Sequence, residues 1–484
     1  MGRRRFGAVL LSLGMAAIVT AHANAATITV NGTADENSST PANAVCTLRE
    51  AILSANTNTA VGGCAAGAGA SDTVVIPAGT FTLALAGGGE DAGQTGDLDV
   101  LGDTVLQGAG AGVTIIDGNA LDRVVHVIVP AASLVQIQGV TIRNGKPEGI
   151  LEQSGAVALS GVTVEKNAGS GVYSNDTATF TGSTVRLNGD GGVYGFGSLA
   201  FTGSLIENNS GSFGGVYSYN FLTMTGTTVA GNTTTGFGGG VFTAGEATIT
   251  ESTISGNTAP SGAGLRATCF PNICGARVTI ERSTISGNNG EGIASIGYAA
   301  NTLTLVNSTV SGNTGTGIVN WGSYGKLVNT TVASNGGYAF DNSLSGLAPT
   351  AASFYNSILV GSCLTSTSTT MTSGGGNLES PGNTCNLTGP SDAVSVASPG
   401  LGSLAANGGP TKTHALLSGS PAIGTAIAAN CPTTDQRGTA RPSPAGGQCD
   451  KGSYEMTGCG SSLAFVLPPT LFALRRRRRL VLPD

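Results

Sequence analysis

The sequence predicts an all-β fold: a right-handed, single-stranded parallel β-helix with a short N-terminal capping helix. Three observations carry that prediction. A phrase of β-branched residues ending in asparagine returns eight times between residues 160 and 335. Glycine is abundant, at 77 residues, without a three-residue period, which removes collagen and leaves a chain of many tight turns. One convincing helical pattern stands near the N-terminus, where a coil stack needs an end cap.

The phrase reads SGVTVEKN (160–167), GSTVRLN (182–188), GSLIENN (203–209), GTTVAGN (226–232), ESTISGN (251–257), RSTISGN (282–288), NSTVSGN (307–313) and NTTVASN (329–335). The closing residues Asn167, Asn188, Asn209, Asn232, Asn257, Asn288, Asn313 and Asn335 are separated by 21, 21, 23, 25, 31, 25 and 22 residues. Regular spacing in this range marks a solenoid, and the Val/Ile/Thr alternation marks strands. Six positions before each Asn stand Gly161, Gly182, Gly203, Gly226, Glu251, Arg282, Asn307 and Asn329, a column that suits a turn at the start of the strand. Stacked coils lie about 4.8 Å apart, so each Asn amide can bond to the next one. A coil of this length holds three short strands and three turns, and roughly a dozen such coils are expected. Right-handed winding follows from the crossover rule for parallel strands.

The N-terminus has the pattern of a secretory signal: Arg3, Arg4 and Arg5, then apolar Ala8–Val19, then Ala23-Asn24-Ala25 as the cleavage site. In an exported compartment cysteines form disulfides. Proximity along the chain suggests Cys46 with Cys64, Cys269 with Cys274, Cys363 with Cys385 and Cys431 with Cys449, although sequence alone does not fix connectivity. Cys459 is left over and opens a tail of apolar Leu463–Leu474 followed by Arg475 to Arg479. Loss of both termini takes the 22 basic residues to 14 and the 28 acidic ones to 27, a net charge of −13. Such a surface repels nucleic acid and excludes it as a partner.

After a first strand at Ala26–Val30, the helix begins at Cys46-Thr47-Leu48-Arg49-Glu50-Ala51-Ile52. Thr47 and Glu50 form a capping box, while Leu48, Ala51, Ile52 and Ala55 share one apolar face. A helix here covers unpaired strand edges at the open end of the stack. The stretch CTLREAI, with DTVVIPAGTFTL (72–83), resembles the CSLREA domain found at the start of exported bacterial β-helix proteins.

Further coils without the clean phrase occupy 97–142, as in GVTIIDGN (112–119) and RVVHVIV (123–129), and 353–362 reads as a last coil. NGGPTKTHALLSGSPAIG (407–424), TDQRGTARP (434–442) and CDKGSYE (449–455) resemble the choice-of-anchor Q domain, with Gly424 where the pattern has Asp and Lys451 where an aliphatic is usual. That resemblance implies a module between a β-helix and a surface-anchoring tail. The tail itself resembles bacterial C-terminal sorting signals, with Cys459 at the processing position and membrane contact before removal. The organisation is therefore read as 1–25 signal peptide, 26–85 N-terminal cap and first coils, 86–362 β-helix repeats, 363–457 anchor-type module and 458–484 sorting tail. Asp435, Arg437, Arg441, Asp450 and Glu455 are expected to form a buried ion network closing the C-terminal end of the stack.

Pectin-lyase-like β-helices include polysaccharide lyases and glycoside hydrolases, so catalysis must be weighed on the residues. After signal removal only His126 and His414 remain, far apart in sequence, and both read as packing residues rather than as a triad or multi-His metal site. Glu165, Arg186 and Glu207 share one column, as do Glu251 and Arg282, which reads as ion pairing along the coils. Asp176, Asp190 and Glu246 are acids with no pairing that sequence can establish. No catalytic residue, metal ligand or cofactor is assigned. The binding feature is the series GVY (171–173), GVY (192–194), GVY (215–217) and GVF (240–242). If Val faces inward, Tyr173, Tyr194, Tyr217 and Phe242 form an outward column suited to stacking on sugar rings, or to stabilising the sheet. The expected role is a non-catalytic, exported cell-surface adhesin that binds polysaccharide or envelope glycan; the alternative is a polysaccharide lyase or glycosidase.

Overall fold

A computed structural model describes residues 25–40, 43–69, 71–268, 275–343 and 350–457. The Cys269–Cys274 pairing, most of the signal segment, Cys459 and the arginine tail lie outside the described residues. Within them the chain winds as a right-handed parallel β-helix. One parallel sheet holds 24 strands, two from most coils, and a second holds 13, one per coil. A representative coil runs Val172–Ser174, Thr177–Thr181 and Thr184–Arg186, then returns to pair Val172 with Val193 in the next coil. Coiling continues through Leu378–Ser380, past residue 362.

Strand alternation fills the interior. Val172, Val193, Val216, Val241 and Leu265 stack as one fully buried column, and Val164, Val185, Ile206, Val229 and Ile254 as another. Phe180 and Phe201 stack inside at 4.5 Å between ring centroids. Burying such side chains stabilises each coil by about 1.5–3 kcal/mol per residue.

The asparagine column is a continuous hydrogen-bonded ladder. From Asn188 onward each side-chain oxygen accepts from both the backbone N–H and the amide of the Asn one coil earlier, as from Asn167 to Asn188 at 3.1 and 2.9 Å. The second amide proton is donated to a strand carbonyl of the preceding coil, as from Asn257 to Val229 at 3.0 Å. Asn188 through Asn313 are buried. The column six positions earlier is left-handed throughout, from φ 59° at Gly161 to 45° at Asn329, including Glu251 at 50° and Arg282 at 49°. The turn geometry persists where glycine gives way to larger residues, because stacking holds it. The glycine that opens each GV pair interlocks with the ladder. A Cβ at Gly240 would lie 2.8 Å from the Asn257 amide nitrogen and 2.7 Å from the carbonyl oxygen of Gly264.

The helix Leu48–Thr57 caps the first coil as expected, with the reciprocal Thr47–Glu50 box in place. Leu48, Ala51, Ile52 and Ala55 join the coil core, and Cys46 bonds to Cys64. The Cys363–Cys385 and Cys431–Cys449 bridges also form.

The C-terminal segment corrects one expectation. Its ion network is buried, but it lies along the flank of the stack and not across its end. Asn307 donates to the carbonyl of Thr434, Asn329 to that of Asp450, and Gln436 bonds to Thr284 and Thr309 on successive coils. The physical reason is visible in the 13-stranded sheet. Its outward residues are half-buried in the coils at 228–230 and 253–255, yet fully buried at 284–286, 309–311 and 331–333, where the segment covers them.

His414 belongs to this covering. Its Nδ1–H donates to Gly402 O at 2.7 Å, and its Nε2 faces the Ser311 hydroxyl at 2.8 Å. Burial lowers its pKa below the ordinary value, although the Gly402 carbonyl opposes the shift. The neutral ring is thus favoured in the fold, so its stabilisation is present above the unfolded pKa of about 6.5 and is lost as pH falls below it and through the lower folded value. The contribution of His414 to the melting temperature is expected to fall between pH 7.5 and 5, opposite in sign to those of His126 and Asp97, whose raised pKa values favour the fold as pH drops. His414→Gln should remove that downward contribution, so that the difference in melting temperature between variant and parent changes with pH; a difference that is constant from pH 7.5 to 5 would refute the assignment.

Candidate functional site

One outward column of the larger sheet runs through the unusual side chains of the protein. In register from coil to coil it reads Asp99, His126, Leu151, Tyr173, Tyr194, Tyr217, Phe242 and Arg266. Period-two alternation decides this: Val172, Val193, Val216 and Val241 point inward, so their neighbours point out.

The aromatic part is a stack. Ring centroids are 4.9 Å apart for Tyr173–Tyr194, 4.9 Å for Tyr194–Tyr217 and 4.1 Å for Tyr217–Phe242, with planes within 13° of parallel. A second set of rings leans on it from neighbouring positions. Phe196 and Tyr219 stack at 4.7 Å, Phe213 lies 4.5 Å from Tyr194, and Arg266 sits 5.0 Å over Phe237. The consequence is uneven exposure. Tyr194 is 6% and Phe242 2% exposed, while Phe196 is 38% and Phe237 52% exposed. Burial and hydrogen bonding with Tyr219 raise the pKa of both Tyr194 and Tyr217, so their hydroxyls stay protonated. The four residues named from sequence are therefore brought together: Tyr194 and Phe242 are buried, Tyr173 and Tyr217 are half-buried, and the most exposed rings beside them are Phe196 and, across Arg266, Phe237.

At the other end of the column is a cluster that sequence reading passed over. His126, expected to be a packing residue, is 1% exposed and bonded through Nδ1 to Asp99 at 3.0 Å and through Nε2 to Gln153 at 3.1 Å. Asp91 and Asp97 approach the same Nδ1 at 3.6 and 3.8 Å. Arg123 pairs with Asp97 at 2.5 Å. Burial first, and then the charge of Asp99, push the Asp97 pKa up to about 6 against the pull of Arg123. Burial disfavours the His126 imidazolium, but the hydrogen bond to Asp99 and the charges of Asp97 and Asp99 outweigh it and raise the pKa. Burial likewise raises Glu148, whose charge acts on Arg123, His126 and Tyr173 and so links the cluster to the aromatic stack.

Irregular elements build this end. The loop carrying Asp91 and Asp97 is held by Arg49 of the capping helix, which donates to the carbonyls of Gly93, Gly96 and Asp97 and pairs with Asp35. Asp99 accepts from the N–H of Gly93 at 2.7 Å. Gln153 is the extra residue of a β-bulge, where the register shifts between Glu152 and Ser154. Bulges re-aim side chains in this way. The signal available in the sequence was alternation alone: Asp97-Leu98-Asp99 and Val125-His126-Val127 each place polar groups on the face opposite a buried apolar one.

Elsewhere, Arg186 meets Glu165 and Arg282 meets Glu251, each at 2.8 Å, as the column reading requires. A cavity of about 580 Å³ opens between the C-terminal segment and the coils at 286 and 311, but His414 is its sole titratable lining group.

The family description "Right handed beta helix region" matches two overlapping stretches, residues 125–268 and 174–336. The chain contains a right-handed β-helix region. Among solved structures, it is similar to the catalytic unit of a thermostable GH87 alpha-1,3-glucanase from Streptomyces thermodiastaticus strain HF3-3. There the TM-score is 0.46 and the identity 17%, over 68% of this chain and 64% of that one. It is also similar to the A-module of the mannuronan C-5 epimerase AlgE4 from Azotobacter vinelandii, with a TM-score of 0.33 and 17% identity over 68% and 90% of the two chains. The chain thus spans less than two thirds of the glucanase unit's length. At these values the likeness extends to the coiled scaffold and no statement about activity rests on it. No curated protein matches the sequence.

Proposed function

We propose that this protein is an exported, non-catalytic surface protein that binds a polysaccharide or envelope glycan along the aromatic column. The observation that carries the reading is the four-coil stack of Tyr173, Tyr194, Tyr217 and Phe242, bordered by exposed Phe196 and Phe237. In a chain with only 5% aromatic residues, this concentration on one outward face supports a platform matched to a repeating polymer. The three disulfides fit an oxidising compartment. The CSLREA-like and anchor-type stretches and the arginine tail support display at the cell surface. No helix among the described residues is long and apolar enough to cross a membrane.

The Phe196→Ala/Phe237→Ala double variant is expected to bind glycan about 5–150-fold more weakly while remaining folded, since each of the two ring contacts contributes about 0.5–1.5 kcal/mol. Affinity electrophoresis against the polymer selected on a glycan array reads this directly. Equal retention of the variant and the parent would sink the proposal.

A second reading, a polysaccharide lyase or glycosidase, is favoured by one observation. An imidazole and several carboxylates lie at the end of the same column as the rings. Incubation with uronate and neutral glycans decides between the two. New unsaturated or reducing ends would replace the non-catalytic reading.

A further inference from the structure

We infer that Asp91, Asp99 and His126, with Asp97 beside them, form a binding site for a divalent transition-metal cation of the zinc type. The site is separate from glycan binding, and its test requires no glycan.

Three carboxylates converge on a single ring nitrogen. Asp99, Asp91 and Asp97 oxygens lie 3.0, 3.6 and 3.8 Å from His126 Nδ1. One ligand atom each from Asp91, Asp99 and His126 lies within 4.8 Å of the other two. Zinc bonded tetrahedrally to nitrogen and oxygen at about 2.0–2.1 Å sets its ligand atoms about 3.3 Å apart. The observed separations bracket that value, so small side-chain adjustments would complete the polyhedron.

The hydrogen bonding around the ring has the pattern that metal-binding histidines use. Gln153 Oε1 can only accept, so Nε2 carries a proton, and a cation at Nδ1 would take the place of the proton that Nδ1 shares with Asp99. An outer partner on the distal nitrogen fixes the tautomer and orients the ring. Here the bulge residue Gln153 provides it.

An independent observation points the same way. Asp97, with a side chain 1% exposed, has one carboxylate oxygen bonded to Arg123, while its Oδ1 is buried without a hydrogen-bond partner. Burying an unpaired carboxylate oxygen is costly, and a cation bound next to this carboxylate, whose other oxygen lies 3.8 Å from His126 Nδ1, lowers that cost. Arg123, even together with a protonated His126, does not balance Asp91, Asp97, Asp99 and nearby Asp122 and Glu148. The imidazole favours a transition cation, whereas an all-oxygen set would favour Ca²⁺.

The supporting elements are fixed before any ion arrives. Arg49 pins the loop, the Gly93 N–H holds Asp99, and Asn56 donates to the Asp99 carbonyl at 2.7 Å. Asp91 alone is open, its side chain 62% exposed, and so gives an ion a route in.

The experiment uses the tag-free full chain, stripped with chelator and dialysed against Zn²⁺ or Ca²⁺, with bound metal counted by mass spectrometry. One tightly held Zn²⁺ per chain and no retained Ca²⁺ are expected. Asp91→Asn should weaken Zn²⁺ binding at least about 10-fold, and His126→Gln should abolish it. Asp91 is exposed, so its variant keeps the fold even if the His126 variant does not. Absence of retained Zn²⁺, preference for Ca²⁺, or Zn²⁺ binding unaltered by Asp91→Asn would each overturn the inference.

Discussion

Asn257→Ala is expected to destabilise the β-helix by about 3–5 kcal/mol, a large effect for the loss of one amide. Asn257 is completely buried. Its oxygen accepts from the backbone and side chain of Asn232 at 2.9 and 3.0 Å. Its own amide donates to Asn288 at 3.0 Å and to Val229 at 3.0 Å. Alanine therefore strands the Asn232 N–H groups and the Val229 carbonyl together, away from water. Each buried orphan costs about 1–3 kcal/mol, and a polarised chain of bonds loses more than its isolated links. The ladder's last member provides the control. Asn335 is half-buried, and its removal leaves the Asn313 donors near solvent. Asn335→Ala is expected to cost about 1–2 kcal/mol. Urea denaturation of the two variants, compared at a common protein concentration, tests the difference; equal costs would show that burial does not govern the ladder.

The second large effect is expected at the C-terminal flank, where Arg441→Met should cost about 3–5 kcal/mol. The Arg441 and Glu455 side chains are both 0% exposed and meet at 2.9 Å. Arg441 also donates to the carbonyls of Asp450 and Gly452. Glu455 accepts from the N–H groups of Ser443 and Asp450. Burial disfavours the charged form of each: it lowers the Arg441 pKa and raises that of Glu455, even though the partner charge opposes both shifts. Removing one partner leaves an uncompensated buried charge, whereas removing both leaves none. Arg441→Met with Glu455→Gln should therefore be less destabilised than the sum of the single variants. Because the network docks a segment on an independent coil stack, the loss should appear first as protease cleavage within 398–457, with the coils still folded. Cleavage patterns identical to the parent protein would contradict this.

The same contrast separates what sequence determined from what the tertiary structure decided. The coil was legible because it repeats: the eight Asn residues, the turn column six positions before them and the inward Val column recur at nearly constant spacing. Stacking then places equivalent positions one above another. The capping helix was legible because Thr47 and Glu50 are local partners. The outward direction of Tyr173, Tyr194, Tyr217 and Phe242 also followed from alternation. Their shielding did not, because Phe196, Phe213 and Tyr219 reach the column from other turns. Nor did the flank position of the C-terminal network, whose partners Asn307, Thr309 and Asn329 lie more than 100 residues away in sequence. The His126 cluster was hidden for the same reason. Asp91, Asp97, Asp99, His126 and Gln153 come from a loop, two short strands and a bulge, four of them in coils that precede the repeat phrase and Gln153 where the first phrase-bearing coil breaks register. Periodicity predicts the neighbours of a residue only where the chain keeps its period. Where loops and bulges break it, side chains meet because stacked coils bring them within a few ångströms, and that proximity is a property of the folded stack alone.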